Sequence, residues 1–128
     1  MADQKGRIVF NNRILEQHEY MTVAKLVEYG YEIEVIPPSF EKGIKSADIR
    51  MNGRIWEIKS PIGKGKWVIK NIMQKASHQS ENVIIDLRRL RQYPQEKYIR
   101  EAEQRFDSIT RLRHLIIISN DGLIIKNK

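Results

Sequence analysis

Hydrophobic positions recur along the chain with two spacings, one typical of helices and the other of strands. Apolar residues three or four positions apart predict helices over residues 14–29, 67–79 and 94–109. Alternating or short continuous apolar runs predict strands over residues 31–36, 83–87, 114–119 and 123–126. The stripe of the first helix comprises Tyr20, Val23, Ala24 and Val27, and Gly30 follows as its C-terminal cap. The first ten residues fit neither spacing.

The most specific local signal is Asn52-Gly53, a pair that favours a type I′ turn because both of its central residues need a positive φ. A hairpin closed by this turn has four cross-strand pairs: Met51 with Arg54, Arg50 with Ile55, Ile49 with Trp56, and Asp48 with Glu57. Alternation puts the core residues on one face, namely Ile49, Met51, Trp56 and Ile58. Asp48, Arg50, Ile55, Glu57 and Lys59 share the other face.

With this hairpin included, the predicted order of elements is α-β-β-β-α-β-α-β-β. In this order the central strands are flanked by helices along the chain. This arrangement indicates an α/β fold in which a mixed sheet lies between two helical layers. The chain has 128 residues and contains no repeat, linker or low-complexity tract. We therefore expect a single domain over residues 1–128.

Composition favours a polyanionic partner. Lysine and arginine number 23 against 16 aspartates and glutamates, giving a formal charge of +7. Between Ile58 and Ser80 there are five lysines and no acid, and Arg88, Arg89 and Arg91 form a second basic cluster. Cysteine is absent, which excludes disulfides and thiolate metal sites. No apolar run is long enough for a membrane span and no secretory signal is seen, so we expect a soluble protein or a domain whose export signal lay on a longer parent chain.

The carboxylates of Asp48 and Glu57 would repel one another across the hairpin unless a cation lay between them. Mg²⁺ takes oxygen ligands and needs only one or two carboxylates, so the pair predicts a divalent metal site, with Mn²⁺ or Zn²⁺ as alternatives. The backbone carbonyl of Ile58 is a candidate further ligand. Lys59 could orient an attacking water or stabilise charge on a phosphate. The alternative is a surface hairpin with an ordinary ion pair between Lys59 and Glu57.

A hairpin that presents Asp-x8-Glu-x-Lys within an αβββαβ order resembles the PD-(D/E)xK nuclease superfamily. The resemblance covers about residues 16–87 and implies a restriction-endonuclease-like core with a C-terminal helix and hairpin added. Ala47 stands where the superfamily usually has proline, which removes turn stiffness but no ligand.

Three stretches resemble a narrower family, the C-terminal toxin domains of contact-dependent growth inhibition CdiA proteins. They are HEYMTVAKLVEYGY, SADIRMNGRIWEIKSP and KASHQSENVIIDL. The resemblance implies a metal-dependent tRNA endonuclease that acts in the cytoplasm, after delivery within a secreted parent chain, and that is neutralised by an immunity protein. Its catalytic pattern falls on Glu19, Asp48, Glu57, Lys59 and Gln79.

Several residues have a second interpretation. Glu19 could reach the metal directly or through water, or orient Lys59, but it could also complement the dipole of its helix. Gln79 could contact a phosphate or Lys59, or simply cap the second helix. The predicted nucleic-acid contacts are Lys64, Lys66, Lys70, Lys75 and Trp67, although a solvated lysine face and a packed tryptophan are the alternatives. Asp86 is expected to cap the end of its strand.

Other functions stay open from the sequence. A structure-specific DNA endonuclease, of resolvase or restriction type, would use the same core. A nucleic-acid-binding module without activity would keep the basic surface but need no metal. A metal-free ribonuclease would use His18 or His114 as general base.

Overall fold

The computed structural model describes residues 6–37, 48–63 and 65–128, and these contain three helices and seven strands. The helices are α1 (Gln17–Glu28), α2 (Val68–Ser77) and α3 (Gln95–Ser108). The strands are β1 (Ile8–Val9), β2 (Ile33–Val35), β3 (Ile49–Met51), β4 (Arg54–Lys59), β5 (Asn82–Asp86), β6 (His114–Ser119) and β7 (Gly122–Asn127). Among the described residues, no helix is both long and apolar enough to cross a membrane.

The strands form one mixed sheet in which their spatial order equals their order in the chain. β4, β5 and β6 are parallel neighbours, joined by crossovers through α2 and α3, whereas the β2–β3, β3–β4 and β6–β7 pairs are antiparallel. β1 pairs in parallel with β2 at the edge. The predicted mixed α/β sheet is confirmed, and the carboxyl ends of β4, β5 and β6 lie together along one end of it.

Each face of the sheet has its own core, because alternate residues of the central strands point to opposite sides. Ile58, Ile84 and Ile116 pack with Val23 and Leu26 of α1. On the other face the core consists of strand residues with α2 and α3: Val83, Ile85, Leu115, Ile117, Ile69, Met73, Ala102 and Phe106. The expected three layers are therefore present, with one helix on one side and two on the other.

The predicted hairpin forms with the predicted turn. Asn52 and Gly53 have φ values of 54° and 73°, as a type I′ turn requires. The register pairs Met51 with Arg54, Arg50 with Ile55 and Ile49 with Trp56. Ile49, Met51, Trp56 and Ile58 are buried in the core shared with α1, as the alternation indicated.

Some predicted boundaries are wrong. α1 begins at Gln17 rather than at residue 14, because the Glu19 side chain accepts a hydrogen bond from the Glu16 N–H and so fixes the N-terminus there. Ile14 is 94% exposed. Tyr20 is also half exposed, since the helix turns Thr22, Val23 and Leu26 toward the sheet instead. α2 ends at Ser77, which leaves Gln79 beyond the helix. Ala47 and Lys64 lie outside the described residues.

Candidate active site

The candidate site begins where β3 and β4 separate. The regular ladder stops at the Ile49–Trp56 pair, one residue short of the predicted pairing of Asp48 with Glu57. Instead, the Asp48 N–H donates to the Trp56 carbonyl at 3.0 Å, and its Oδ2 accepts a hydrogen bond from the Ile58 N–H at 2.8 Å. The Asp48 side chain thus takes the place of a strand carbonyl, which fixes its carboxylate beside β4.

Glu57 is the most unusual group of the site because it is a buried carboxylate with an incomplete set of partners. The residue is 4% exposed, since its side chain points from the middle of β4 to the face that α2 covers. Its Oε2 lies 3.1 Å from the Lys59 Nζ, whereas its Oε1 is buried and has no hydrogen-bond partner among the described residues. A buried oxygen of this kind normally has a partner, so Oε1 is a candidate metal ligand.

The pKa of Glu57 reflects these surroundings. Burial, reinforced by the negative charge of Asp48 and opposed by Lys59, raises the pKa of Glu57 from 4.5 to about 7. Two carboxylates close enough to influence one another in this way would both be stabilised as anions by a cation between them.

Lys59 lies two residues beyond Glu57 and therefore on the same face of β4. Its side chain is 19% exposed, so the ammonium group that contacts Glu57 also reaches toward solvent. Ile58 between them points into the opposite core, as predicted. Its N–H is taken by Asp48, and the role of its carbonyl as a ligand stays a prediction.

Arg13 is the site residue that the sequence did not indicate. Its NH2 group lies 3.1 Å from the Asp48 Oδ1 and 3.8 Å from the Glu19 Oε2. Its NH1 group donates to the Ile36 carbonyl at 2.9 Å, which ties the segment before α1 to the end of β2. Glu19 is therefore linked to Asp48 through a guanidinium, and its other oxygen caps α1.

The residues present fit a hard divalent cation with two carboxylate ligands. Among the described residues no three His, Asp or Glu side chains lie close enough to hold a metal ion together. Asp48 and Glu57 would therefore be completed by waters or backbone carbonyls, which is how Mg²⁺ is commonly bound. The partnerless Oε1 of Glu57 supplies the observation in favour of this fit.

The predicted nucleic-acid contacts divide between the two ends of α2. Lys66, Trp67 and Lys70 lie at its N-terminal end, which follows β4 and hence lies at the end of the sheet that carries Lys59. Trp67 is 53% exposed, and the Nζ atoms of Lys66 and Lys70 lie 5.0 and 5.2 Å from its ring centroid. About half of Trp67 is therefore accessible to solvent, and its contact with nucleic acid stays a prediction. Lys75 lies in the last turn of α2 and lines the same groove as Trp67.

Gln79 lies beyond α2, although the sequence predicted that this helix runs to residue 79. Its backbone N–H donates to the Ala76 carbonyl, which closes the helix. Its side-chain Oε1 is buried without a hydrogen-bond partner among the described residues. A contact with phosphate or with Lys59 stays a prediction.

Asp86 is not a simple strand cap. Its Oδ2 accepts hydrogen bonds from the Thr22 hydroxyl at 2.8 Å and from the Arg88 NH2 at 2.8 Å, and its Oδ1 accepts one from the Arg88 Nε at 3.0 Å. This buried cluster joins α1 to the end of β5. His18 and His114 lie near opposite ends of the sheet, because His18 is in the first turn of α1, near Asp86, whereas His114 begins β6. They do not share a site.

Comparisons with known proteins agree with this fold. The family model described as the contact-dependent growth inhibition CdiA C-terminal domain matches residues 45–124, more than half of the chain. Among solved structures, a chain of the CdiA-CT/CdiI toxin and immunity complex from Burkholderia pseudomallei is similar, with a TM-score of 0.68 and 18% identity. The match covers 96% of this chain and all of the other, and at that identity it shows a shared fold. No curated protein sequence matches the chain.

Proposed function

This chain belongs to the CdiA C-terminal domain family of contact-dependent growth inhibition, and we propose that it is a metal-dependent endonuclease toxin with tRNA as its favoured substrate. The observation that carries the proposal is the buried Glu57 carboxylate, with one oxygen on Lys59, the other without a partner, and its pKa raised by burial and by Asp48. An ordinary surface ion pair has no reason to bury an acid beside a second acid.

Asp48 Oδ1 and Glu57 Oε1 would hold the cation, with the Ile58 carbonyl as a further candidate ligand. A divalent ion bound there would lower the pKa of a bound water and offset negative charge on the phosphate. The Ile58 N–H already orients the Asp48 carboxylate through Oδ2, whereas Oδ1 accepts a hydrogen bond from Arg13, which would have to move for Oδ1 to hold the cation.

Lys59 would act at the scissile phosphate. Its ammonium group lies at the end of β4 in contact with Glu57, and it is partly exposed. From this position Nζ would donate to a phosphate oxygen or to the attacking water, which stabilises the charge that develops during hydrolysis. Arg13 would release Asp48 when the cation binds, and it would then remain near Glu19.

The surface around Trp67 supports the proposed substrate, and the comparison with known proteins supports the proposed partner. The exposed ring of Trp67, with Lys66 and Lys70 beside it, suits an unpaired base and its neighbouring phosphates. This surface favours RNA over plain duplex DNA. Because the similar Burkholderia chain is described as part of a toxin and immunity complex, we also propose that a specific immunity protein neutralises this domain. Delivery to the target cytoplasm within a larger secreted parent belongs to the same proposal.

The test is a cleavage assay on total tRNA, branched DNA and plain duplex DNA, each with Mg²⁺, with Mn²⁺ and with EDTA. We expect cleavage of tRNA with metal, no cleavage in EDTA, and a loss of at least about 100-fold in Lys59→Ala and Asp48→Asn. Lys25→Ala is the matched control, since among the described residues Lys25 forms an ion pair with Glu28 alone, within α1.

Wild-type turnover in Lys59→Ala would contradict the proposal. Cleavage of branched DNA alone would indicate a resolvase-like enzyme instead. Binding that persists in EDTA, without any cleavage, would indicate a nucleic-acid-binding module.

A further inference from the structure

A pocket of about 320 Å³ opens at the carboxyl ends of the parallel strands, on the side of the sheet that α1 covers. It is lined by residues that follow or end three different strands: Ser60, Asp86, Arg88, Arg89, Arg91 and Asn120. Ser60 directly follows Lys59, so the pocket begins where the candidate active site ends. Its position agrees with the general location of ligands in sheets of parallel strands.

The floor of the pocket is electrically neutral. Asp86 is 2% exposed, and both of its oxygens are occupied by hydrogen bonds from Thr22 and Arg88. The Arg88 NH2 group also donates to the Met21 carbonyl at 3.0 Å, which fixes its guanidinium against α1. Asp86 and Arg88 thus balance one another and hold the pocket in shape.

Two further arginines make the pocket positive. The Arg89 NH1 donates to the Ser60 carbonyl at 3.2 Å, which leaves its remaining N–H groups available. Arg91 is exposed, and neither arginine has a carboxylate partner among the described residues. Asp86 is the only acid among the described residues that line the pocket, and Arg88 already compensates it.

Guanidinium groups bind phosphate through paired N–H donors, and a pocket with two uncompensated arginines selects such an anion. We propose that this pocket binds a phosphate of the nucleic-acid strand adjacent to the phosphodiester held at Lys59, a site that rests on the proposed nuclease function. Lys66 and Lys70 flank the start of α2, whereas Arg89 and Arg91 line the pocket together with His18 and Met21 of α1. A strand that contacts both basic groups would cross the end of the sheet that carries Lys59.

The experiment measures binding separately from cleavage. Fluorescein-labelled total tRNA is titrated with the Lys59→Ala protein in EDTA, and anisotropy is followed from 50 to 300 mM salt. Adding Arg91→Gln should weaken binding about three- to tenfold and reduce the slope of log K against log salt by about 0.7 to 0.9. Arg89→Gln should do the same, because it removes the other guanidinium of the pocket that has no carboxylate partner among the described residues.

Arg113→Gln is the matched control. It removes the same charge from an exposed position just before β6, at the opposite end of the sheet from the pocket. Labelled duplex DNA in a parallel titration distinguishes DNA from RNA as the source of the phosphate.

The inference is overturned if Arg91→Gln and Arg89→Gln bind tRNA and DNA no more weakly than Arg113→Gln. That result would leave the nuclease proposal intact if Lys59→Ala still abolishes cleavage. Conversely, weaker binding in both pocket variants, with no cleavage by the wild-type protein, would support the phosphate site and reject the nuclease.

Discussion

Replacing Glu57 by glutamine tests the electrostatics on which the site depends. Burial and the proximity of Asp48 raise the pKa of Glu57 from 4.5 to about 7, despite the opposing effect of Lys59. At a pH between these two pKa values, the Glu57 carboxyl is protonated in the folded protein and ionised in the unfolded chain. Folding therefore takes up a proton, and the free energy of unfolding should fall as pH rises through that window.

The shift sets the size of the effect. Each pKa unit corresponds to about 1.4 kcal/mol, so ionised Glu57 should lower the free energy of unfolding above pH 7 by up to about 3 kcal/mol. Solvent near the partly exposed Lys59 screens part of this amount. Glu57→Gln keeps the shape but cannot ionise. The variant should therefore gain stability relative to wild type as pH rises from 4.5 to 8.

The assay is urea denaturation in EDTA, followed by circular dichroism at several values between pH 4.5 and 8. Glu81→Gln is the control, because Glu81 is an exposed acid just before β5. A difference between Glu57→Gln and wild type that does not change with pH would refute the assigned pKa.

The same denaturation experiment is then repeated at pH 8 with Mg²⁺ in place of EDTA. Metal at 100 times its dissociation constant should stabilise the wild type by about 2.7 kcal/mol, and Glu57→Gln by much less. Equal stabilisation of both proteins would show that Glu57 is not a ligand.

Two further predictions concern the scaffold of the site. Thr22→Val should lower the free energy of unfolding by about 1–3 kcal/mol, because it removes a hydrogen bond from the buried Asp86 carboxylate. Urea denaturation measures this loss, with Thr110→Val at an exposed position as the control. Equal stability of the two variants would argue against the hydrogen bond. Gly53→Ala should cost about 1 kcal/mol through backbone strain alone, since φ is +73° and nothing lies within 4 Å of the added Cβ. Gly53→Asn should lower the free energy of unfolding by less than Gly53→Ala, because asparagine tolerates positive φ. A larger loss in Gly53→Asn than in Gly53→Ala would indicate a steric contact rather than backbone strain.

The sequence predicts those parts of the fold that local spacing determines. Asn52-Gly53 specifies both the turn and the register, and the register in turn sorts Trp56 and Glu57 onto opposite faces. The helical periods place α2 and α3 to within two residues at each end. The three stretches that resemble CdiA toxin domains indicated the family that the comparison then confirmed.

Contacts between distant segments are not encoded in such spacing. Arg13 meets Asp48 across 35 positions, and Thr22 meets Asp86 across 64. No periodicity marks these residues, and β1 is only two residues long. Likewise, the sequence places Glu57 on the face of β4 opposite Trp56 and Ile58, but its burial depends on the segments that pack on that face in the folded chain. The pKa of Glu57 follows from that burial, which no local pattern reveals.

One carboxylate just before β3 contributes both to the backbone hydrogen bonds and to the proposed chemistry. Asp48 is the acceptor for the Ile58 N–H, so truncation to alanine would leave a buried amide unsatisfied, at about 1–3 kcal/mol, as well as removing a metal ligand. An inactive Asp48→Ala protein would therefore confound misfolding with lost catalysis, whereas asparagine retains the acceptor. By the same coupling, substitutions of Asp48 that abolish activity and also remove the acceptor for Ile58 erode the fold.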